Sequence, residues 1–135
     1  MADGWRNKAL AEIQGIRPHW VQKHGWAPRV EQGDEHLGLH INFTQRSGRK
    51  YLLRLRYEKD FETAGRREAF VNPDAPDREG LEFWPDGDAF KKSENPPKIC
   101  LEGVYGFHSG LHRDRDGRAA KLNKLLMEIQ KCLNR

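Results

Sequence analysis

Cysteine is scarce: 135 residues hold only Cys100 and Cys132, too few for a disulfide scaffold, and neither has a Cys or His neighbour at zinc-site spacing. A metal is therefore not expected. No apolar run approaches the roughly 20 residues that span a bilayer, and Met1-Ala2-Asp3-Gly4-Trp5-Arg6 lacks the apolar centre of a secretory signal. No membrane partner is expected, and the reading is a cytoplasmic protein. Apolar residues are also few, 36% against 33% charged with a mean hydropathy of -0.93, so the core must be thin and built from aromatic, Leu and Ile side chains. A chain of 135 residues fits one domain spanning 1–135, burying about two-thirds of the surface it exposes unfolded. No charge sign dominates. The 24 basic residues are interspersed with 20 acidic ones for a net +4, which argues against a nucleic-acid partner despite a pI near 9.2. The asymmetry that exists is C-terminal, where Arg113, Arg115, Arg118, Lys121, Lys124, Lys131 and Arg135 outnumber Asp114, Asp116 and Glu128.

What is present is periodic. Trp5, Ala9, Ile13 and Ile16 fall at helical spacing, which predicts an amphipathic helix over about 4–16, capped by Asp3 and ended before Pro18. Gly25-Trp26-Ala27-Pro28 reads as a loop. Leu37, Leu39, Ile41 and Phe43 alternate with polar or small residues, and Tyr51, Leu53, Leu55 and Tyr57 do the same after the turn Arg46-Ser47-Gly48-Arg49. The pair predicts an antiparallel hairpin. A third strand is expected near 68–71, ended by Asn72-Pro73, followed by a long acidic loop over 74–97 with a short strand at 81–84. Leu122, Leu125, Leu126, Ile129, Cys132 and Leu133 recur at helical spacing from about Arg118 to the end. The expected class is α+β, with both helices on one side of an antiparallel sheet.

Cysteine chemistry needs a thiolate, which favours a partly exposed thiol near cationic or hydrogen-bonding groups. Cys100 follows Lys98 in a loop-like setting and precedes His108 and His112, whereas Cys132 lies on the apolar side of the last helix and reads as a buried, inert hydrophobe. Since Ile99 and Leu101 flank Cys100, local features alone favour a structural cysteine there too. His36 and His40 read as surface residues on the polar side of a strand. Asn95-Pro96 is ordinary turn chemistry unless its amide faces the thiol.

The order of these features resembles the ubiquitin-conjugating enzyme family. That family has an N-terminal amphipathic helix, an antiparallel meander sheet, an active-site loop with its cysteine in a Gly-x-Ile-Cys-Leu-type motif, and a helix packed on the sheet. Pro97-Lys98-Ile99-Cys100-Leu101-Glu102 is similar to that motif, Phe107-His108-Ser109-Gly110-Leu111 to the element that follows it, and Leu125-Leu126-Met127-Glu128-Ile129-Gln130-Lys131-Cys132-Leu133 to the next helix. The hairpin strand Tyr51-Leu52-Leu53-Arg54-Leu55 also matches, although Tyr57-Glu58-Lys59-Asp60-Phe61 lacks the family's prolines. The family's last two helices are not expected, as in shortened bacterial members. The family's His-Pro-Asn motif is absent, and 113–121 reads as an insertion before the final helix.

The resemblance implies a UBC-like fold and a transferase of a bacterial ubiquitin-like (Ubl) conjugation pathway. Cys100 would accept the C-terminal carboxyl of a ubiquitin-like modifier protein from an activating enzyme as a thioester and pass it to an amine on an acceptor protein. Activation occurs upstream, so no cofactor is implied, in keeping with the lack of a Walker-type or Gly-x-Gly-x-x-Gly loop. His108 or His112 would deprotonate the incoming amine or polarise the thioester. For the missing Asn, Asn72-Pro73 follows the family-like strand but is far from Cys100 in sequence, and Asn95-Pro96 is close but in a different context, so the assignment is open between them. Arg6 and Lys8 on the exposed side of the first helix would meet the activating enzyme. The alternative is a catalytically inactive, conjugating-enzyme-like adapter that binds partner proteins, suggested by the absent His-Pro-Asn and the acidic loop.

Overall fold

The computed structural model describes residues 4–100 and 121–135. Two N-terminal helices, α1 (Gly4–Gln14) and α2 (Pro18–His24), precede a five-stranded antiparallel sheet, β1 (Arg29–Gln32), β2 (Leu37–Thr44), β3 (Lys50–Tyr57), β4 (Arg67–Asn72) and β5 (Ala75–Glu79), in sequential order. A short helix α3 (Phe61–Ala64) joins β3 to β4; a 3-10 turn (Leu81–Phe83) then leads to a two-stranded hairpin of β6 (Phe90–Lys91) and β7 (Lys98–Ile99). Helix α4 (Leu122–Leu133) ends the described chain. The fold is mixed α+β.

The central hairpin forms where the alternation predicts it. Leu37, Leu39, Ile41 and Phe43 of β2 lie opposite Tyr57, Leu55, Leu53 and Tyr51 of β3, and all eight are buried. Their turn closes through Gln45 N–H to the Arg49 carbonyl, with Gly48 at φ +92 where a side chain would be strained. On this face sit Ala9 of α1, Ile16, and Leu122, Leu125, Leu126, Ile129 and Leu133 of α4, in one cluster with the strand residues. Each fully buried Leu or Ile contributes about 2 kcal/mol. The other face carries a smaller cluster of Leu52, Ala69 and Val71.

Several segments depart from the sequence reading, each for a physical reason. Residues 18–24 form a helix because Pro18 occupies its first turn, where the missing N–H costs nothing, and Gly25 closes it at φ +68. Strand β1 has all four residues exposed, so it shows no alternation. The stretch over 74–97 is not one loop. β5 pairs with β4, and Phe90 and Trp84 pack edge-on to Phe70 at 5.7 and 5.1 Å. The strand expected at 81–84 is instead the 3-10 turn. Helix α4 begins at Leu122, with Lys121 as its N-cap; Asp3 and all but the last residue of the insertion expected over 113–121 lie outside the described residues.

His40 is a correction. It points to the polar face of the sheet, as its phase requires, but is only 5% exposed, because Pro76 and Asp77 of β5 and the side chains of Arg54 and Arg56 share its recess of about 150 Å³. Burial, then Arg29, lowers its pKa below the usual histidine value, with Arg54 adding to the fall and Glu31 opposing it. His24, stacked on Trp26 at 5.5 Å, is also lowered, chiefly by burial and then by Lys23 and His19. A histidine with a lowered folded pKa binds its proton more readily when unfolded. Its stabilising contribution is therefore complete above the unfolded pKa of about 6.5 and is lost as pH falls below it. The urea midpoint should drop between about pH 7 and about pH 5, and His40→Gln should flatten that drop. An equal slope in the variant would remove His40 as its source.

Candidate functional site

Cys100 stands immediately after β7, half-buried, with its N–H donating to the Ala89 carbonyl at 2.6 Å. Two devices hold this position. Phe90 pairs with Ile99 and Lys91 with Lys98 across the short hairpin, and Ile99 is buried at 2% exposure. In addition, Ile99 N–H donates to the Glu68 carboxylate of β4 at 2.6 Å. A two-residue hairpin is weak alone, so this charge-assisted bond and the buried Ile99 fix the thiol segment against the main sheet.

Glu68 was not singled out by the sequence, although a signal for it exists. It lies opposite Leu55 in the β3–β4 ladder, in the phase of the core-facing residues, and a carboxylate in that phase needs a partner. Ile99 N–H of β7, the residue before the cysteine, is one such partner.

Asn95, joined to Pro96 by a cis peptide bond, is exposed on the 92–97 loop. With Pro96, Pro97, Glu68, Ala69 and Glu79 it lines two adjoining grooves, of about 600 and about 420 Å³. The larger is floored by Leu81 and Trp84; the smaller is edged by Arg54, Arg56, Arg67 and Lys98. These cations are answered within the chain, Arg54 by Glu79, Arg56 and Arg67 by Glu58, and Lys98 by Glu94. The grooves thus run along the segment leading to the thiol and offer apolar walls, peptide groups and balanced charge, features suited to an extended polypeptide rather than a polyanion.

His108 and His112 lie outside the described residues. Neither the thiol of Cys100 nor the side chain of Asn95 has a hydrogen-bond partner among the described residues. Cys132 is half-buried rather than fully enclosed, packed against the edge of the core. Burial pushes its thiol pKa up, with Arg135 pulling the other way, which keeps it in the inert thiol form.

The two N-terminal cations part company. Arg6 is half-buried, and its guanidinium donates to the carbonyls of Gly33 at 2.7 Å, His36 at 3.2 Å and Asp34. It fastens α1 to the β1–β2 connection, because a planar donor fork suits a cluster of carbonyls. The expectation of an exposed cation is corrected for Arg6. Lys8 is exposed and pairs with Glu62 at 3.2 Å, a surface contact that a partner could displace at little cost.

No family model, curated protein or solved structure matches this chain. Among the described residues, no helix is long and apolar enough to cross a membrane.

Proposed function

We propose that this chain is a ubiquitin-conjugating-type transferase with a UBC-like fold, in which Cys100 carries a ubiquitin-like protein as a thioester. The observation that carries the reading is the order of parts: an N-terminal helix, an antiparallel meander, a half-exposed cysteine on a segment pinned to the sheet, and a helix with the Leu125-Leu126…Ile129-Gln130 pattern. In the reaction, the Cys100 thiolate attacks the thioester carbonyl presented by the activating enzyme. A new C–S bond forms and the activating enzyme's thiol leaves. An acceptor amine then attacks the same carbonyl, loses its proton, and releases the Cys100 thiol. His108 or His112 takes the proton in this reading, and the Asn95 amide turns inward to support the oxyanion. The grooves beside Pro96 and Pro97 hold polypeptide leading to or from the thiol. Lys8, and not Arg6, is the residue to reverse in charge when probing contact with the activating enzyme.

The test is incubation with a candidate modifier, its activating enzyme and ATP, read on a non-reducing gel. The expected result is an adduct that reductant removes and Cys100→Ala abolishes. An adduct that persists in Cys100→Ala would overturn the assignment. The adapter reading is favoured by the lack, among the described residues, of a hydrogen-bond partner for the Asn95 side chain and the thiol; it predicts partner binding with no adduct and no effect of Cys100→Ala.

A further inference from the structure

We propose that β1 is a self-pairing edge: two copies of the chain join by antiparallel β1–β1 addition about a two-fold axis through Val30. Among the described residues β1 pairs on one side only, with β2, and all four of its residues are exposed. Among the described residues, Val30 is one of two large hydrophobic residues left exposed, at 41%. It lies opposite Leu39, whose side chain is fully in the core, so Val30 sits on the core side of the sheet at its rim.

The backbone phase decides which groups reach the free edge. Gly33 N–H donates to the His36 carbonyl at 2.9 Å, which extends the register Gln32↔Leu37, Glu31↔Gly38, Val30↔Leu39, Arg29↔His40. Hydrogen-bonded and non-hydrogen-bonded pairs alternate along an antiparallel ladder. Arg29, Glu31 and Gly33 therefore bond toward β2, and the N–H and C=O of Val30 and Gln32 point away from it. Those are the groups an added strand needs.

The side chains then select a second copy as that strand. With Val30 on the axis, the two Val30 residues exchange both backbone hydrogen bonds and bury their side chains against each other. Arg29 falls opposite Glu31 of the second copy, and Glu31 opposite its Arg29, on the other face. The ladder closes where each Gln32 N–H meets the Pro28 carbonyl of the second copy, since Pro28 has no N–H to continue it. Neither Arg29 nor Glu31 makes an ion pair among the described residues, so both are available. A patch whose charges reverse under its own two-fold is what an isologous contact requires. Sheet order puts β1 at the edge opposite β4 and β5, away from the thiol segment, so the pairing stands independently of the transferase reading.

Sedimentation velocity on the full chain over a rising concentration series tests this. The expected result is a monomer–dimer equilibrium. Val30→Pro removes an N–H that points away from β2, so it leaves the β1–β2 ladder intact and should yield a monomer. Arg29→Glu opposes carboxylates across both symmetric pairs and should weaken association about tenfold; the double variant Arg29→Glu/Glu31→Arg should restore it. Circular dichroism checks that each variant is folded, and the charge pair decides the matter if Val30→Pro is not. A wild-type chain that stays monomeric throughout, a dimer indifferent to Arg29→Glu, or one weakened by it but not restored by the swap would overturn the proposal.

Discussion

Glu12→Ala should destabilise the protein by about 3 kcal/mol, because it takes a hydrogen-bonded counter-charge away from a buried guanidinium. The Arg66 side chain is 2% exposed; it donates through Nε to Glu12 at 3.2 Å and to the Tyr57 hydroxyl at 3.1 Å, with a further Nη2 bond to Glu12. Burial works against its charge, yet Tyr57 and Glu12 outweigh that and leave its pKa raised; burial also pushes the Tyr57 phenol upward. The cluster ties α1 to β3 and to the residue leading into β4. Breaking one partner strands the other, whereas replacing both with apolar residues of similar size is often neutral. Arg66→Met/Glu12→Leu should therefore recover part of the loss, the buried Tyr57 hydroxyl being left without its Arg66 donor. Urea unfolding of the single and double variants measures both, and a single variant within about 0.5 kcal/mol of wild type would show that water replaces the lost partner.

The second large effect is expected at Trp26. Its side chain is fully buried, packs edge-on to Trp20 at 6.2 Å and Phe43 at 6.0 Å, and donates Nε1–H to Gln130 of α4 at 3.0 Å. Gln130 in turn donates Nε2–H to the Thr44 carbonyl at the end of β2, 3.1 Å away. One indole thus joins α2, the sheet and α4. Trp26→Ala should cost about 3–5 kcal/mol through lost packing and the cavity left behind. Trp26→Phe keeps most of the apolar area but leaves the Gln130 oxygen buried without a donor, at a cost of about 1–3 kcal/mol. Urea unfolding should rank wild type above Trp26→Phe above Trp26→Ala; a Phe variant as stable as wild type would mean the hydrogen bond contributes nothing net.

The legible parts of the fold were those with sustained periodicity. The β2–β3 hairpin and α4 have long runs in which every second, or every third and fourth, residue is apolar, and burial follows that phase. Segments whose order comes from a few long-range anchors carry no such signal. β1 is exposed throughout, and β6 and β7 are two residues each, held by Phe90, Ile99 and Glu68. The long acidic stretch looked like a loop because Trp84 and Phe90 are only two anchors in a polar run, and two residues make no period.

Of the candidate site, the sequence by itself picked out Cys100 and the order of elements around it, because a residue type and a chain order are local facts. Tertiary structure decided the surroundings. It put the thiol on a segment bound by Glu68, gave Asn95 to a groove wall, withdrew Arg6 into a cluster of carbonyls while leaving Lys8 exposed, and buried His40 between two arginines on neighbouring strands. Each outcome depends on which backbone groups and charges from distant parts of the chain come within hydrogen-bonding range. That is settled by strand register and packing, and residue spacing along one segment does not encode it.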